Sequence, residues 1–308
     1  MSARRRVIAL VGATATGKTA LGEALGARLG LEVVCADSRQ VFAELEIGTG
    51  KPSPAERAAR PHHLFAARRL DQPASAGWYA RAAREALAVI AARGGRALLV
   101  GGSGLYLRAL MRGLAPVPAP PPEIRERLRA ALADEGAAAL HARLAARDPA
   151  TAARLAPRDG QRVTRALEVI ESTGRPLSWW LAHPPAPAEG ERWTVLEITA
   201  TAALTRERIA LRTRAMLADG LIEETRALLD AGMGERLVAL RAVGYDEAME
   251  TIAGRIDTDE AARRIDVRTA QLAKRQRTWF RHQIEAERLD AVSARGDLLD
   301  RALAAIGA

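Results

Sequence analysis

The sequence predicts an α/β fold: a parallel sheet core with helices on both faces, interrupted by an inserted all-helical lobe. Three observations predict it. Short apolar runs alternate with helical periodicity over the first hundred or so residues. Two Pro-rich joints then bracket a stretch with helical patterning alone. After the second joint a strand-like apolar run returns.

The elements follow in order. Residues 6–12 (RVIALVG) are an apolar run closed by Gly, the pattern of a buried strand. Helical periodicity covers 18–29, and 32–36 (EVVCA) is a second buried strand ending at Asp37. Residues 37–61 are polar with Gly and Pro punctuation, so mostly loop. Ser75 is placed to cap a helix reaching about residue 93. A third strand, 97–100 (ALLV), leads into Gly101-Gly-Ser-Gly104 and another helix. The joints are 115–122 (APVPAPPP) and 183–187 (HPPAP), and 193–198 (WTVLEI) resumes the sheet before further helices to the C-terminus. The expected division is a core of 1–115 with 192–308 and a helical lobe of 116–191.

No apolar run approaches the roughly 20 residues that span a bilayer, so no membrane is expected. The start, MSARRR, leads straight into an apolar strand and not into a cleavable signal, and Cys35 is the single cysteine. A cytoplasmic protein is expected, and a monomer. Net charge is +9 with a pI near 10.7, which favours a polyanionic partner but also reflects an Arg-rich composition. Of 46 basic residues only Lys18, Lys51 and Lys274 are lysines. Arg does not replace a compact ammonium in a tight anion nest, so these three invite attention.

Gly12-Ala13-Thr14-Ala15-Thr16-Gly17-Lys18-Thr19 fits G-x-x-x-x-G-K-[ST] between a strand and a helix, which makes the core P-loop NTPase-like. Backbone N–H groups of such a loop curl around phosphate oxygens at a helix N-terminus. Lys18 would reach the outer phosphate, and Thr19 would offer its hydroxyl to Mg²⁺. The loop specifies a diphosphate or a triphosphate such as ATP, without choosing between them.

Asp37 lies past the end of a strand, on the sheet edge that faces ligands in open α/β folds. It suits a Mg²⁺ ligand, a general base or simply the cap of a turn. Ser38, Arg39 and Gln40 carry hydrogen-bonding groups fit for a base edge or sugar. Gly101–Tyr106 (GGSGLY) occupies the same edge, with Ser103 either facing a ligand or capping the helix.

Together with these motifs, ADSRQVF (36–42), EIGTGKP (46–52), PHHL (61–64), GQRVTRALEV (160–169), RAVGY (241–245) and TAQLAKRQRTWFR (269–281) make the chain resemble the tRNA dimethylallyltransferases, or tRNA isopentenyltransferases, nearly end to end. The resemblance implies an activity: transfer from dimethylallyl diphosphate to N6 of the adenosine 3′ of the anticodon. It implies a tRNA partner, bound through its anticodon stem-loop, and a loop that grips the leaving diphosphate. It gives Asp37 the role of base and Ser103 that of a hydrogen-bonding helper, where the family usually has Thr. Other departures are Glu46 for Asp, Gly50 for Ala, and Ala43 and Glu44 for a basic-Gly pair. tRNA contacts are implied for Asp37, Ser38, Arg39, Gln40 and Ser103, and for Gln161, Arg162, Val163, Thr164 and Arg165. Gln161 and Arg165 share a helix face. Arg125 and 274–281, beginning with Lys274 and Arg275, are further candidates. Arg208 and Arg212 lie one helical turn apart, and one of them is expected to clamp the diphosphate.

The bland readings sit beside these. His62 and His63 read as structural or as lining the crevice floor, because a zinc site would need partners that the neighbourhood lacks. Trp279 and Phe280 read as core, and Trp179 and Trp180 as packing. The main rival is a P-loop kinase of a nucleoside or small molecule, with the same loop and Asp37 as its base. A non-enzymatic nucleotide-gated RNA binder is the second, and it would need a γ-phosphate sensor loop that the sequence does not present.

Overall fold

The apolar runs form the strands of one sheet. β1 (Arg5–Gly12), β2 (Leu31–Cys35), β4 (Arg96–Gly101) and β5 (Glu191–Thr199) are joined by two short edge strands, β3 (His62–His63) and β6 (Glu287–Asp290). All pairings are parallel, and the order is β3-β2-β4-β1-β5-β6. This computed structural model describes residues 5–183, 191–292 and 295–307. The Pro-rich joint expected at 183–187 therefore lies, beyond His183, outside the described residues.

A strand buried on both faces needs apolar residues at every position, and successive side chains point opposite ways. Val7, Ala9 and Val11 of β1 enter one core, with Leu87, Ile90, Leu107, Leu110, Ile265 and Phe280. These last come from the helices Ala76–Ala92, Gly104–Arg112 and Thr258–Gln283. Ile8 and Leu10 enter the opposite core, against Leu21 and Leu25 of Lys18–Leu29 and Leu298, Ala302 and Ile306 of Arg295–Ile306. Phe280 sits in the first core and Trp279 packs against it, as the sequence suggested.

Three local features refine the sequence reading. The 37–61 segment is mostly loop, as expected, with two short helical pieces. It holds a short 3-10 turn and the helix Pro54–Ala59, started by a capping box in which Ser53 and Glu56 satisfy each other's backbone N–H. β3 escaped notice because two histidines carry no strand signal; backbone pairing to β2 creates it. β6 (ERLD) interrupts the C-terminal helices and is polar at three of its four positions because it is an edge strand.

The chain falls into two compact units, 1–111 with 189–308, and 112–188. The second is helical: Pro122–Asp134, Gly136–Arg147, Pro149–Ala152, Gly160–Thr173 and Leu177–Ala182. Leu128, Leu140, Leu144, Val163, Leu167 and Ile170 form its core. Buried Asp148 accepts hydrogen bonds from the Thr151 and Ser178 N–H groups, which ties two helix starts together. Trp179 lies against the Arg175 guanidinium and the His183 ring, and Trp180 Nε1 donates to Thr173 Oγ1.

The ends of β2 and β4 approach unusually closely. A Cβ on Gly101 would come 2.1 Å from the Ala36 carbonyl oxygen, a main-chain atom that cannot swing aside. Gly101→Ala is expected to force the strand ends apart and to cost about 2 kcal/mol, the scale of core overpacking. Urea denaturation measures this, and an unchanged midpoint would show that the strands yield freely.

Candidate active site

The loop after β1 takes its shape from three left-handed residues. Gly12 has φ +146°, Ala15 +62° and Gly17 +95°. At Gly12 a Cβ would also stand 2.5 Å from the Ile198 carbonyl oxygen of β5. Thr16 is buried, and its hydroxyl donates to the Ala13 carbonyl at 2.9 Å, closing the loop on itself. Ala13 is buried with it. Gly17 leads directly into Lys18–Leu29, so the first N–H groups of that helix have no intrahelical acceptor.

Lys18 folds back over the loop and donates from Nζ to the Ala13 carbonyl at 2.5 Å. Burial pushes its ammonium down to about 8. The Asp37 carboxylate opposes that shift and the Arg212 guanidinium adds to it. Arg208 Nη1 donates to the Thr16 carbonyl at 3.0 Å. Arg212 donates to the Thr49 carbonyl at 2.9 Å and to Thr14 Oγ1 at 3.4 Å. The sequence left open which arginine serves the loop, and the fold brings both to it. Gly50 makes room for Arg212, since a Cβ there would stand 2.6 Å from Nη2.

Asp37 follows β2 on the same sheet edge. Its Oδ1 accepts the N–H groups of Arg39 at 2.8 Å and Gln40 at 3.5 Å, so it does cap a turn. That turn fixes the carboxylate and leaves Oδ2 without a hydrogen bond among the described residues. Ser103 does not cap its helix with its side chain. Its Oγ accepts the Ser38 N–H at 2.8 Å, and its own N–H donates to the Ala36 carbonyl at 3.1 Å. The hydroxyl proton stays available, and Ser103 fastens the Asp37 turn to the end of β4.

Lys18, Thr19, Asp37, Gln40, Arg208 and Arg212 line one cavity of about 320 Å³. Gln276, which the sequence placed only within the 274–281 segment of candidate RNA contacts, lines it too. It accepts the Thr14 N–H at 2.8 Å and donates to the Gly102 carbonyl at 3.0 Å. Its segment carried a signal in the 269–281 motif, but the basic residues on either side drew attention away from an amide.

Several expected contacts lie elsewhere. Val163 and Thr164, expected to touch tRNA, are buried in the core of the helical unit at 0% and 8% exposure. Every third or fourth position of an amphipathic helix must face inward, and these two do. Gln161 and Arg162 are exposed in the same unit, as is Arg125, while Arg165 is half-buried and pairs with Glu168 at 3.2 Å. Lys274 and Arg275 are exposed on Thr258–Gln283 and do not line the cavity. Arg39 donates to the Leu240 carbonyl and Gln40 to those of Thr49 and Gly50, so in this structure both side chains brace the protein's own loops. Lys51 is structural: its buried ammonium donates to the Phe42 carbonyl at 2.6 Å and pairs with Glu46 at 2.9 Å. His62 pairs with Glu23 at 2.8 Å and His63 with Glu32 at 2.7 Å. Cys35 is buried, which pushes its thiol far up.

Comparison with known proteins bears on this geometry. The family model described as IPP transferase matches residues 40–283. The tRNA dimethylallyltransferase of Acidiphilium cryptum is 43% identical, covering 96% of this chain and 90% of its own. That of Halorhodospira halophila is 46% identical, covering 92% and 93%. Among solved structures, the tRNA isopentenylpyrophosphate transferase of Bacillus halodurans superposes with a TM-score of 0.72 at 30% identity, over 99% of this chain and 96% of its own. A eukaryotic dimethylallyltransferase described as acting on tRNA shares the fold, with a TM-score of 0.82 at 23% identity over 97% of this chain and 78% of its own. On the family match and on relatives that align along almost its whole length, the chain belongs to the IPP transferase family.

Proposed function

We infer that the chain transfers a dimethylallyl group from dimethylallyl diphosphate to N6 of the adenosine 3′-adjacent to the anticodon of tRNA, giving N6-isopentenyladenosine. The observation that carries the reading is a single cavity lined by a phosphate-gripping loop, three cations and one carboxylate with a free oxygen. The family's named activity supplies donor and acceptor. The kinase reading gains nothing from relatives that carry a tRNA prenyl-transfer name along the whole chain.

The chemistry follows from the parts. The bond between the allylic carbon and the diphosphate oxygen breaks, and negative charge grows on the leaving group. Lys18, Arg208, Arg212 and the loop N–H groups stand where they stabilise it. The N6 lone pair is delocalised into the ring, so the amine reacts well only if its proton leaves as the C–N bond forms. Asp37 Oδ2 takes that proton, and the Ser103 hydroxyl holds the turn that aims it. The target base leaves the anticodon-loop stack to reach the cavity. Exposed Gln161, Arg162 and Arg125 in the helical unit, with Arg165 beside them, and Lys274 and Arg275 in the core, serve as RNA-contacting groups.

Mg²⁺ fits this donor set. Among the described residues no three His, Cys, Asp or Glu side chains gather to hold a metal alone. Thr19 Oγ1 offers a hard oxygen beside a diphosphate that, with solvent, would provide the remainder, the usual arrangement for this ion, and Asp37 Oδ2 stays free for the proton. When bound it neutralises phosphate charge.

The Lys18 ammonium gives a pH prediction. A group whose value lies near 8 is charged below it, and only the charged form attracts an anion. Relative to Lys18→Ala, which shares the titration of pyrophosphate itself, the affinity advantage of the wild type is expected to be flat below pH 7 and to fall above pH 8, by about tenfold per unit at the steepest. Asp37 raises the Lys18 value, so Asp37→Asn should move this limb to lower pH. Calorimetric titration of the wild type and these variants from pH 6 to 9.5 reads this, and an advantage that does not change with pH would contradict the assignment.

Two substitutions separate donor binding from chemistry. Asp37→Ala should retain tRNA and donor binding and lose at least about 100-fold in single-turnover rate. Lys18→Ala should weaken donor binding about 10- to 100-fold, the scale of a charge-assisted hydrogen bond. The assay is Mg²⁺, labelled dimethylallyl diphosphate and unmodified tRNA, followed by nucleoside digestion. Label on any nucleoside other than the adenosine next to the anticodon, or parental turnover by Asp37→Ala, would sink the reading.

A further inference from the structure

Gln276 stands on Thr258–Gln283 and reaches between the two loops that the reaction must bring together. Its amide is used at both ends. Oε1 accepts the Thr14 N–H at 2.8 Å, within the phosphate loop. Nε2 donates to the Gly102 carbonyl at 3.0 Å, at the end of β4. Only one orientation of the amide satisfies a donor on one side and an acceptor on the other, so the pair of bonds fixes the side chain. The neighbouring residue is Ser103, whose Oγ holds the Ser38 N–H at 2.8 Å, and Ser38 adjoins Asp37. Two hydrogen-bonded links, Thr14–Gln276–Gly102 and Ser103–Ser38, joined by the Gly102–Ser103 peptide bond, therefore connect the donor loop to the turn that carries the carboxylate. Gly102 is shaped for this: a Cβ there would come 2.6 Å from Gln276 Nε2 and 3.3 Å from the Gly12 carbonyl oxygen.

We propose that Gln276 is a positioning residue for the prenyl transfer inferred above, an assignment that rests on that reading. It sets the spacing between the diphosphate-holding loop and Asp37. In-line displacement demands that the leaving group, the allylic carbon and the incoming amine be aligned, and a misplacement on the order of 1 Å costs about 100-fold in rate. The donor loop and the base hang from different strands, β1 and β2, which are not neighbours in the sheet. Gln276 crosses that gap from a third element.

The test uses the full chain, labelled dimethylallyl diphosphate and unmodified tRNA, under single-turnover conditions. Gln276→Met removes both hydrogen bonds at nearly constant volume. Gly102→Ala leaves Gln276 in place and displaces its amide. Each is expected to lower the single-turnover rate about 10- to 100-fold. The active fraction, read as product formed per enzyme at completion, is expected to stay within about twofold of the wild type. The loss should not multiply with that of Ser103→Ala, because both substitutions cut one path; the double variant should be about as slow as the slower single one. A reduced active fraction that reacts at the parental rate would show a purely structural role and overturn the proposal. Fully multiplicative losses would overturn the path through Ser103. A wild type that forms no prenylated adenosine would instead remove the transfer reading itself, and this assignment with it.

Discussion

Three cations converge on the loop after β1. Lys18, Arg208 and Arg212 all point their charged ends at the segment after β1, and among the described residues Asp37 is the carboxylate that lines the cavity with them. Like charges so close would push the loop apart in the free protein. The main chain relieves this. The carbonyls of Ala13, Thr16 and Thr49 accept from the three side chains. These oxygens hold the three cations in place around the loop. The left-handed geometry at Gly12, Ala15 and Gly17 sets the path of the loop that carries the Ala13 and Thr16 carbonyls.

The surrounding elements brace this arrangement. Glu224 accepts the N–H groups of Glu46 and Ile47, and Tyr245 donates to its other oxygen. That anchors the turn bearing Thr49 and Gly50, which in turn receives Gln40 and Arg212. Lys51 neutralises Glu46 beneath the same turn. Arg39 crosses to the Leu240 carbonyl and joins the Asp37 turn to the RAVGY segment. Motifs scattered over two hundred residues of sequence thus meet as one hydrogen-bonded shell. Few of their members touch the cavity, and most hold those that do.

This distinction explains where sequence reading succeeded and where it slipped. The phosphate loop, Asp37 and the Ser103 turn were legible because their chemistry is local: glycines, a lysine and a hydroxyl at fixed spacing after a strand. Lys51 was singled out correctly as unusual, but for the wrong reason, since its ammonium is spent on a carbonyl and a carboxylate inside the fold. Val163 and Thr164 sat inside a polar motif and were read with it, although helical periodicity turns them inward. Gln276 was read only as part of the basic 274–281 segment, because an amide between basic residues looks like surface and its partners lie more than 170 residues away.

The sequence by itself determined the parallel sheet, the phosphate loop and the helical stretch between the Pro-rich joints. Each of these follows from periodicity and backbone sterics over a few neighbouring residues. Tertiary structure alone decided that both Arg208 and Arg212 reach the loop, that β3 and β6 complete the sheet, and that Gln276 spans β1 and β4. Those outcomes depend on which distant carbonyls lie within about 3 Å of a donor, a condition fixed by packing between elements and invisible to local pattern.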